Sequence, residues 1–586
     1  MPSRLDQWHE GEVAMHRALK APLGMNPTSP GLPRSYGMRA MYSQLIAVGT
    51  LDGQSRPWTS VWGGERGSAR PVAEDVLALT TRVDKRYDPV YRAFWEEKGQ
   101  GEEVTRDRVK LMGRMVAGAE VTSEEEMIQV AFHVQESLGN CPKYINKKDI
   151  EAVIPQARLI SEGLRLPDEA VELIGKADMF FLSSSNGKTM DTNHRGGPQG
   201  LVRVMRNDGE GLELVYPEYS GNRLYQSLGN LRVNPLIGIC IPDYDTGDAV
   251  YVTGTATILV GEEASSLLFH SNLAVKITAS ASKFVKSSLP FRGPSQERSP
   301  YNPPVRYLLA ERVDDPAAKL DSTTGITASL VKREELTPTI HVHTFKLESR
   351  DPLPRWKAGQ HVTINFEEEV GQGYSHMRDD DPQSLNDDYV RTFTVSCPPG
   401  DGPDDEVQIT ARLNGPVTHF LRRHNLRVPL ELPVMGFGGK EELHMPTSTS
   451  ASPGVPEPVF MAGGVGITPL LAQARGVLAG GVPLTLLWTL RGEDLPLAVH
   501  AFDKVPGLAD VTTLYVTRVD EREHEALLEK VRERGAKVEA RRMGGGDVNG
   551  LRGGGKKFYL CMGKGLMGEM LKWLDGEEVV WEDFGY

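Results

Sequence analysis

A chain of 586 residues is longer than one hydrophobic core usually covers, so several domains are expected. Hydrophobic residues at 39% and charged residues at 25% are ordinary for a folded globular protein. The formal net charge of -13 argues against a dedicated nucleic-acid or anionic-membrane surface, which needs clustered lysine and arginine.

The cysteines, Cys141, Cys240, Cys397 and Cys561, stand far apart, outside the closely spaced sets of zinc or iron–sulfur sites, so no metal is expected. The opening stretch MPSRLDQWHEGEVAMHRALK lacks the apolar core of a signal peptide, and no apolar run is long enough to cross a bilayer. With cysteine this sparse, a cytoplasmic protein without a membrane partner is the expectation.

Over residues 41–81, short apolar runs alternate with Gly, Ser and Pro, which predicts antiparallel strands and hairpins. Residues 84–177 are more charged, and EEEMIQVAFHVQESL has apolar positions at helical spacing, so helices are expected there, with GNCPKYINKK among them. Strands resume with ADMFFLSSS, GLVRVM, LELVYPEY, LIGICIPDY and AVYVTGTATILV, giving a second β unit over about 176–262. The Pro- and Ser-rich SSLPFRGPSQERSPYNPPVR marks a domain boundary. Beyond it, TASLVKREEL, IHVHTFKLE and HVTINF predict another β domain, ending near Gly439, and EELHMPTSTSASPGVPEP reads as a linker. From Val459 onward strand and helix alternate, which implies a parallel sheet covered on both faces.

The sharpest local signal is MAGGVGITP at 461–469, between an apolar strand and a helical run. Glycines at such a turn let the backbone approach a pyrophosphate, and the helix N-terminus offers N–H groups and a positive dipole end. Gly463, Gly464, Gly466, Thr468 and Pro469 are therefore candidate dinucleotide contacts, although an isolated glycine-rich turn is as often structural.

Taken with RTFT at 391–394, CMGKGLM at 561–567 and the closing WEDFGY, the order of motifs resembles the ferredoxin-reductase family of flavoenzymes over about 322–586. The resemblance implies that Arg391 holds a flavin phosphate, that Thr392 and Phe393 line the flavin with Phe393 packed on the ring, and that Thr394 bonds near its reactive nitrogen. Phe393 replaces the family's tyrosine and is also suited to an ordinary strand core. RLNGPVTHFL, beginning at Arg412, resembles the second flavin motif, with Gly415 and Thr418 at the FAD pyrophosphate. Cys561 and Gly563 resemble the segment facing the nicotinamide, while a small buried hydrophobe at a strand end is the plainer role for such a cysteine. Glu582 and Phe584 resemble the family's closing E-x-F, in which the aromatic covers the flavin. Arg491 and Arg518 fall at strand ends where the family binds the adenosine half, and Thr517-Arg518 would favour a 2′-phosphate.

Further upstream, HRGGPQGLVRV, YPEYSGNRLYQSLGNLRVNP and DAVYVTGTA resemble the pyridoxamine-phosphate-oxidase-like split barrel, an FMN-binding fold. By that resemblance Asn222 and Arg223 take the phosphate-turn positions, one positive charge short of the usual pair. Arg195 and Arg203 are the compensating cations, with Lys188 and His194 nearby. Barrels of this family pair as dimers with flavin at the interface, so the resemblance admits either a homodimer or two units in one chain that imitate it.

The expected fold is multidomain: an N-terminal α+β split β-barrel in one or two units, an antiparallel β-barrel FAD domain, and an α/β parallel-sheet nucleotide-binding domain. The divisions are 1–160, 161–300, a linker at 301–321, 322–445, a linker at 446–458, and 459–586. The expected activity is hydride transfer from NAD(P)H to FAD, then on to FMN or an unidentified electron acceptor. The competing class is a flavin- or nucleotide-binding redox sensor or scaffold.

Overall fold

The computed structural model describes residues 8–95, 102–106, 109–122, 127–139, 141–312, 324–448 and 456–581. Two compact units result: Met1–Glu311 with Tyr374–Asp387, and Arg312–Gly373 with Asp388–Tyr586. The second unit thus yields fourteen residues, between the strands His361–Asn365 and Val390–Thr394, to the first.

The first unit is built from two antiparallel sheets with one strand order. One sheet runs Pro57–Gly63, Leu45–Leu51, Glu102–Arg106, Val109–Thr122, Met127–Gly139, Val76–Arg82, Ala69–Ala73. The other runs Met190–Gly196, Met179–Ser185, Leu236–Pro242, Ala249–Val260, Leu273–Lys286, Gly211–Pro217, Arg203–Asp208. A helix precedes the first hairpin of each sheet, Arg34–Tyr42 and Asp168–Lys176, and another precedes its last three long strands, Pro89–Trp95 and Gln226–Val233. The half is a structural duplication.

The repeats meet isologously, as the subunits of a twofold dimer do. Pro57–Gly63 lies against Met179–Ser185, Leu236–Pro242 and Ala249–Val260, while Met190–Gly196 lies against the corresponding Leu45–Leu51, Glu102–Arg106 and Val109–Thr122. The correspondence holds at single residues. Thr59 pairs with Gly49 in one hairpin, and Thr192 pairs with Ser183 in the other. Across the junction Thr59 Oγ1 donates to Ser183 Oγ at 2.7 Å, and a Cβ on Gly49 would lie 2.1 Å from Thr192 Oγ1.

The helix expectation over 84–177 is corrected here. The helices expected over 84–177 reduce, among the described residues, to Pro89–Trp95 and Asp168–Lys176. EEEMIQVAFHVQESL is instead mostly the strand Met127–Gly139. Ile128, Val130, Phe132 and Val134 are buried in strict alternation with more exposed neighbours, a period of two that also satisfies part of a helical spacing. GNCPKYINKK forms turns and irregular backbone in its described part, with Lys143, Tyr144 and Asn146 bonding to other segments rather than to a helix. The division at 160/161 also falls inside the strand Arg158–Glu162, which pairs with Leu273–Lys286. Of the linker expected at 301–321, the part to Glu311 belongs to the first unit, packed there through Leu308 and the Arg203–Glu311 pair.

The second unit holds an antiparallel barrel and a parallel sheet. Barrel strands run Val390–Thr394, His361–Asn365, Glu431–Gly438, Ile326–Thr337, Ile340–Ser349, Glu406–Arg412, and a bridge from Val395 to Ile409 joins the two ends of that order. The parallel sheet runs Lys537–Glu539, Thr512–Thr517, Thr485–Arg491, Glu457–Gly463, Lys556–Cys561, Val579–Trp581. Its chain starts at Glu457–Gly463, steps outward three strands, then returns to the other side at Lys556–Cys561. That reversal is a topological switch point, where the carboxyl ends of neighbouring strands leave a crevice. The linker expected at 446–458 lies mostly outside the described residues.

Candidate functional site

At the switch point the strand Glu457–Gly463 ends in the glycine turn, and the helix Thr468–Ala479 begins directly after it, with Pro469 in its first turn. Gly464 has φ of 58°, a left-handed backbone that suits glycine. Gly466 is glycine for a different reason: a Cβ there would lie 2.0 Å from the Cys561 carbonyl oxygen, across the parallel pair in which Ala462 faces Cys561. The Trp488 indole N–H donates to the Gly464 carbonyl at 2.9 Å and fixes the turn from the neighbouring strand. Gly463, Gly464, Gly466, Thr468, Pro469, Cys561 and Gly563, which precedes the helix Lys564–Trp573, thus stand at the carboxyl ends of the neighbouring strands Glu457–Gly463 and Lys556–Cys561.

Arg491 ends its strand in the same sheet and is paired with Glu493 at 3.2 Å. Arg518 follows Thr512–Thr517 with φ of 54°, and its carbonyl oxygen lies 2.9 Å from a Cβ placed on Gly492. Both stand at carboxyl ends of strands, the edge that carries the glycine turn.

In the barrel, Arg391 faces Ile364, Thr392 faces Thr363 and Phe393 faces Val362 across the strand pair. Thr363 and Thr392 hydroxyls bond at 2.9 Å. Phe393 meets Phe366 edge-on at 6.3 Å and packs against the barrel core, so its ring is half-committed to packing. Thr394 is buried beside His361. Gly415 opens the helix Gly415–Arg423 with φ of 73°, and a Cβ there would meet nothing within 4 Å, an uncrowded helix N-terminus of the kind that suits a phosphate. Thr418 is less available: its Oγ1 accepts from the Asn414 N–H at 2.7 Å and donates to the Asn414 carbonyl at 2.9 Å.

Arg412 links barrel and sheet. Its guanidinium donates to Thr339 Oγ1 at 3.0 Å and to the Asp494 carboxylate at 2.5 Å, and lies 3.7 Å from a Cβ placed on Gly464. Asp494 and Thr339 were not signalled by any sequence motif. Glu582 and Phe584 lie outside the described residues.

The first unit contains a cavity of about 150 Å³ at the junction of the repeats. Arg195, Asn222 and Arg223 line it, with His194, Tyr219 and Tyr225, and Lys110 comes to it from the other repeat. Arg195 is paired with Glu218 at 2.8 Å, and Asn222 accepts from the Leu224 N–H at 3.0 Å. On the floor Lys110 pairs with Asp191 and donates to Gln226 Oε1 at 2.7 Å, and Ser227 Oγ donates to Asp191 at 2.5 Å. Burial, then the charges of Arg195 and Lys110, push the His194 imidazole down to about 4, so it is neutral near pH 7. Arg203 and Lys188 are not in its wall: Arg203 pairs with Glu311, and Lys188 sits in the turn of the hairpin 179–196. Sequence reasoning missed Lys110, Asp191 and Tyr219, which only the tertiary fold brings together.

No protein-family model matches the chain, and no curated protein does. Solved structures similar to it include the flavohemoglobin of Malassezia yamatoensis with bound FAD and heme, at 18% identity and a TM-score of 0.32 over 46% of this chain and 62% of that one. Phthalate dioxygenase reductase matches at 15% identity and a TM-score of 0.30, over 44% of this chain and 67% of that one. The cytochrome b5 reductase domain of Ulva prolifera nitrate reductase matches at 14% identity and a TM-score of 0.30, over 45% and 99%. The chain spans less than two thirds of the flavohemoglobin's length. Among the described residues no helix is long and apolar enough to cross a membrane, and no group of His, Cys, Asp or Glu is placed to hold a metal ion.

Proposed function

We propose that this chain is an NAD(P)H-dependent flavin oxidoreductase: the parallel sheet takes the nicotinamide dinucleotide, the barrel takes FAD, and electrons pass to FMN in the duplicated half or to an external acceptor. One observation carries the reading. The glycine turn and Cys561 meet at the switch point of the sheet, and Arg412 of the barrel stands beside Gly464. This answers to the requirement that two rings be brought together from two domains.

When bound, FAD accepts hydride from nicotinamide and can release electrons singly or in pairs. The chain's own part is positional. The N-terminus of Thr468–Ala479 presents backbone N–H groups to a pyrophosphate, and Gly464 keeps that approach clear of side chains. Gly415 does the same at the helix Gly415–Arg423, with Arg391 as the cation for the flavin phosphate. Phe393 offers an aromatic surface without a hydroxyl. Buried Cys561 sets the floor under the nicotinamide position as a small side chain rather than as a nucleophile. Arg518 selects the 2′-phosphate of NADPH. In the duplicated half, Arg223 and Asn222 form the phosphate turn for FMN.

Rapid mixing of the purified chain with NADH and with NADPH tests the reading. Prompt bleaching of the visible flavin band is expected, and heat should release both FAD and FMN. A flavin that stays oxidised would overturn the reductase and leave a redox sensor or scaffold.

A further inference from the structure

A duplicated half with an isologous junction should offer two equivalent ligand sites, yet the two places are built differently. Arg195 and Trp62 hold the same position, each preceding the glycine that ends its hairpin, Gly196 paired with Met179 and Gly63 paired with Leu45. Arg195 lines the cavity, whereas Trp62 is wholly buried. Tyr225 and Asp88 also correspond, each preceding the helix before the last long strands. Asp88 is buried and caps its own helix, accepting from the Val90 and Tyr91 N–H groups at 2.9 Å, with Ser60 at 2.5 Å and the Trp62 indole at 3.0 Å on its other oxygen. Tyr225 gives the helix Gln226–Val233 no side-chain cap, and the first turn of that helix, Gln226 to Leu228, lines the cavity. The first repeat fills the place with its own carboxyl group; in the second, Asp191 reaches the Ser227 hydroxyl but no side chain caps the helix.

Three further observations make the open place a site. The Tyr219 hydroxyl in its wall is buried with no hydrogen-bond partner. Among the described residues two wall cations lack a carboxylate partner: Lys143 donates to the Ser220 carbonyl at 2.8 Å, and Arg223 stacks on the Tyr374 ring at 3.5 Å. Finally, the Tyr374–Asp387 excursion reaches the cavity wall. His376 lines the cavity and the Tyr374 hydroxyl donates to the Gly221 carbonyl at 3.0 Å. Asn386 accepts from the Ser220 N–H and donates to the Tyr144 hydroxyl, both at 2.9 Å.

We infer that the duplicated half holds one ligand rather than two, a flat ring bearing a phosphate, and that the segment Tyr374–Asp387 of the same compact unit completes its site. This rests on the FMN part of the proposed function and adds the stoichiometry and the completing segment. The phosphate takes the place that Asp88 fills in the other repeat, at the first turn of Gln226–Val233 with Arg223 and Lys143. Such a cavity encloses about one aromatic ring, so the remainder of the ligand extends toward Tyr374 and His376.

Equilibrium titration of the full chain, stripped of flavin and reloaded with FAD, tests this with FMN and with pyridoxal 5′-phosphate as probes. One FMN per chain is expected, with affinity lowered at least about tenfold in Arg223→Glu and in the Tyr374→Ala/His376→Ala double variant. Arg223→Lys and Tyr374→Phe serve as folded controls that retain most of the affinity. If only pyridoxal 5′-phosphate binds, at one per chain and with the same losses, the flavin assignment falls and the single site stands. Two equivalents bound, no binding of either probe, or unchanged affinity in the charge-reversed and double variants would overturn the inference.

Discussion

The guanidinium of Arg412 lies 2.5 Å from the carboxylate of Asp494, and the two ends of this pair are unequally buried. The Asp494 side chain is 1% exposed and that of Arg412 is 27% exposed. A carboxylate taken from water depends on its cation, whereas a half-exposed guanidinium can be rehydrated. Arg412→Ala should therefore cost about 3 kcal/mol, and Asp494→Asn about 1 kcal/mol. Hydrogen exchange of the strands Glu406–Arg412 and Thr485–Arg491 reads both costs in the full chain. Equal costs would show that burial of Asp494 does not set the energetics of the pair.

Glycine variants separate crowding from backbone strain. Alanine at Gly466 puts a Cβ 2.0 Å from the Cys561 carbonyl oxygen, and neither strand end can yield without breaking the parallel ladder. The expected penalty is about 3 kcal/mol, together with loss of nucleotide binding. Alanine at Gly415 meets no atom within 4 Å but must keep φ near 73°, which costs about 1 kcal/mol. Urea midpoints and nucleotide titrations on both variants give the comparison. A Gly466→Ala chain that binds NADPH as the parent does would remove the glycine turn from the nucleotide site.

The parallel sheet was legible in the sequence because alternating strand and helix imply crossovers, and because the glycine turn follows a fully apolar strand. The duplication was not, since equivalent positions differ in chemistry: Trp62 against Arg195, Asp88 against Tyr225. What the repeats share is a pattern of strand lengths and pairing, which leaves only period-two traces in sequence. The strand Met127–Gly139 shows how such a trace misleads, since Ile128 and Phe132 also stand four residues apart. The excursion Tyr374–Asp387 is polar and acidic and reads as an ordinary surface loop. Its role depends on partners such as Gly221, Ser220 and Tyr144, all more than a hundred residues away in sequence.

Acid should weaken the first unit through His194. Burial beside Arg195 and Lys110 lowers its folded-state pKa to about 4, below the ordinary value of 6.5. The unfolded chain then binds a proton over that interval that the folded chain does not, so stability is complete above pH 6.5 and falls as pH drops toward 4. The contribution is about 2 kcal/mol, reduced from the full shift because the ring borders an open cavity. His194→Gln, which cannot titrate, should flatten this part of the profile in thermal melts at a series of pH values. An unchanged slope in the variant would place the acid sensitivity elsewhere.

Nucleotide preference should rest on Arg518 rather than Arg491. Arg491 is already partnered by Glu493 at 3.2 Å, which offsets the charge it would offer a phosphate. Arg518 has no carboxylate partner among the described residues and is held at its strand end by a left-handed backbone, next to the Thr517 hydroxyl that donates to the Leu490 carbonyl. A planar guanidinium engages a phosphate through paired N–H donors, while the ribose hydroxyl of NADH gives it far less to bind. Arg518→Ala should lower kcat/KM for NADPH about thirtyfold and change that for NADH less than about threefold. Arg491→Ala should leave the ratio of the two within about threefold of the parent. If Arg491→Ala instead collapses the preference and Arg518→Ala does not, the 2′-phosphate sits against the strand Thr485–Arg491, and the ion pair with Glu493 must open to receive it.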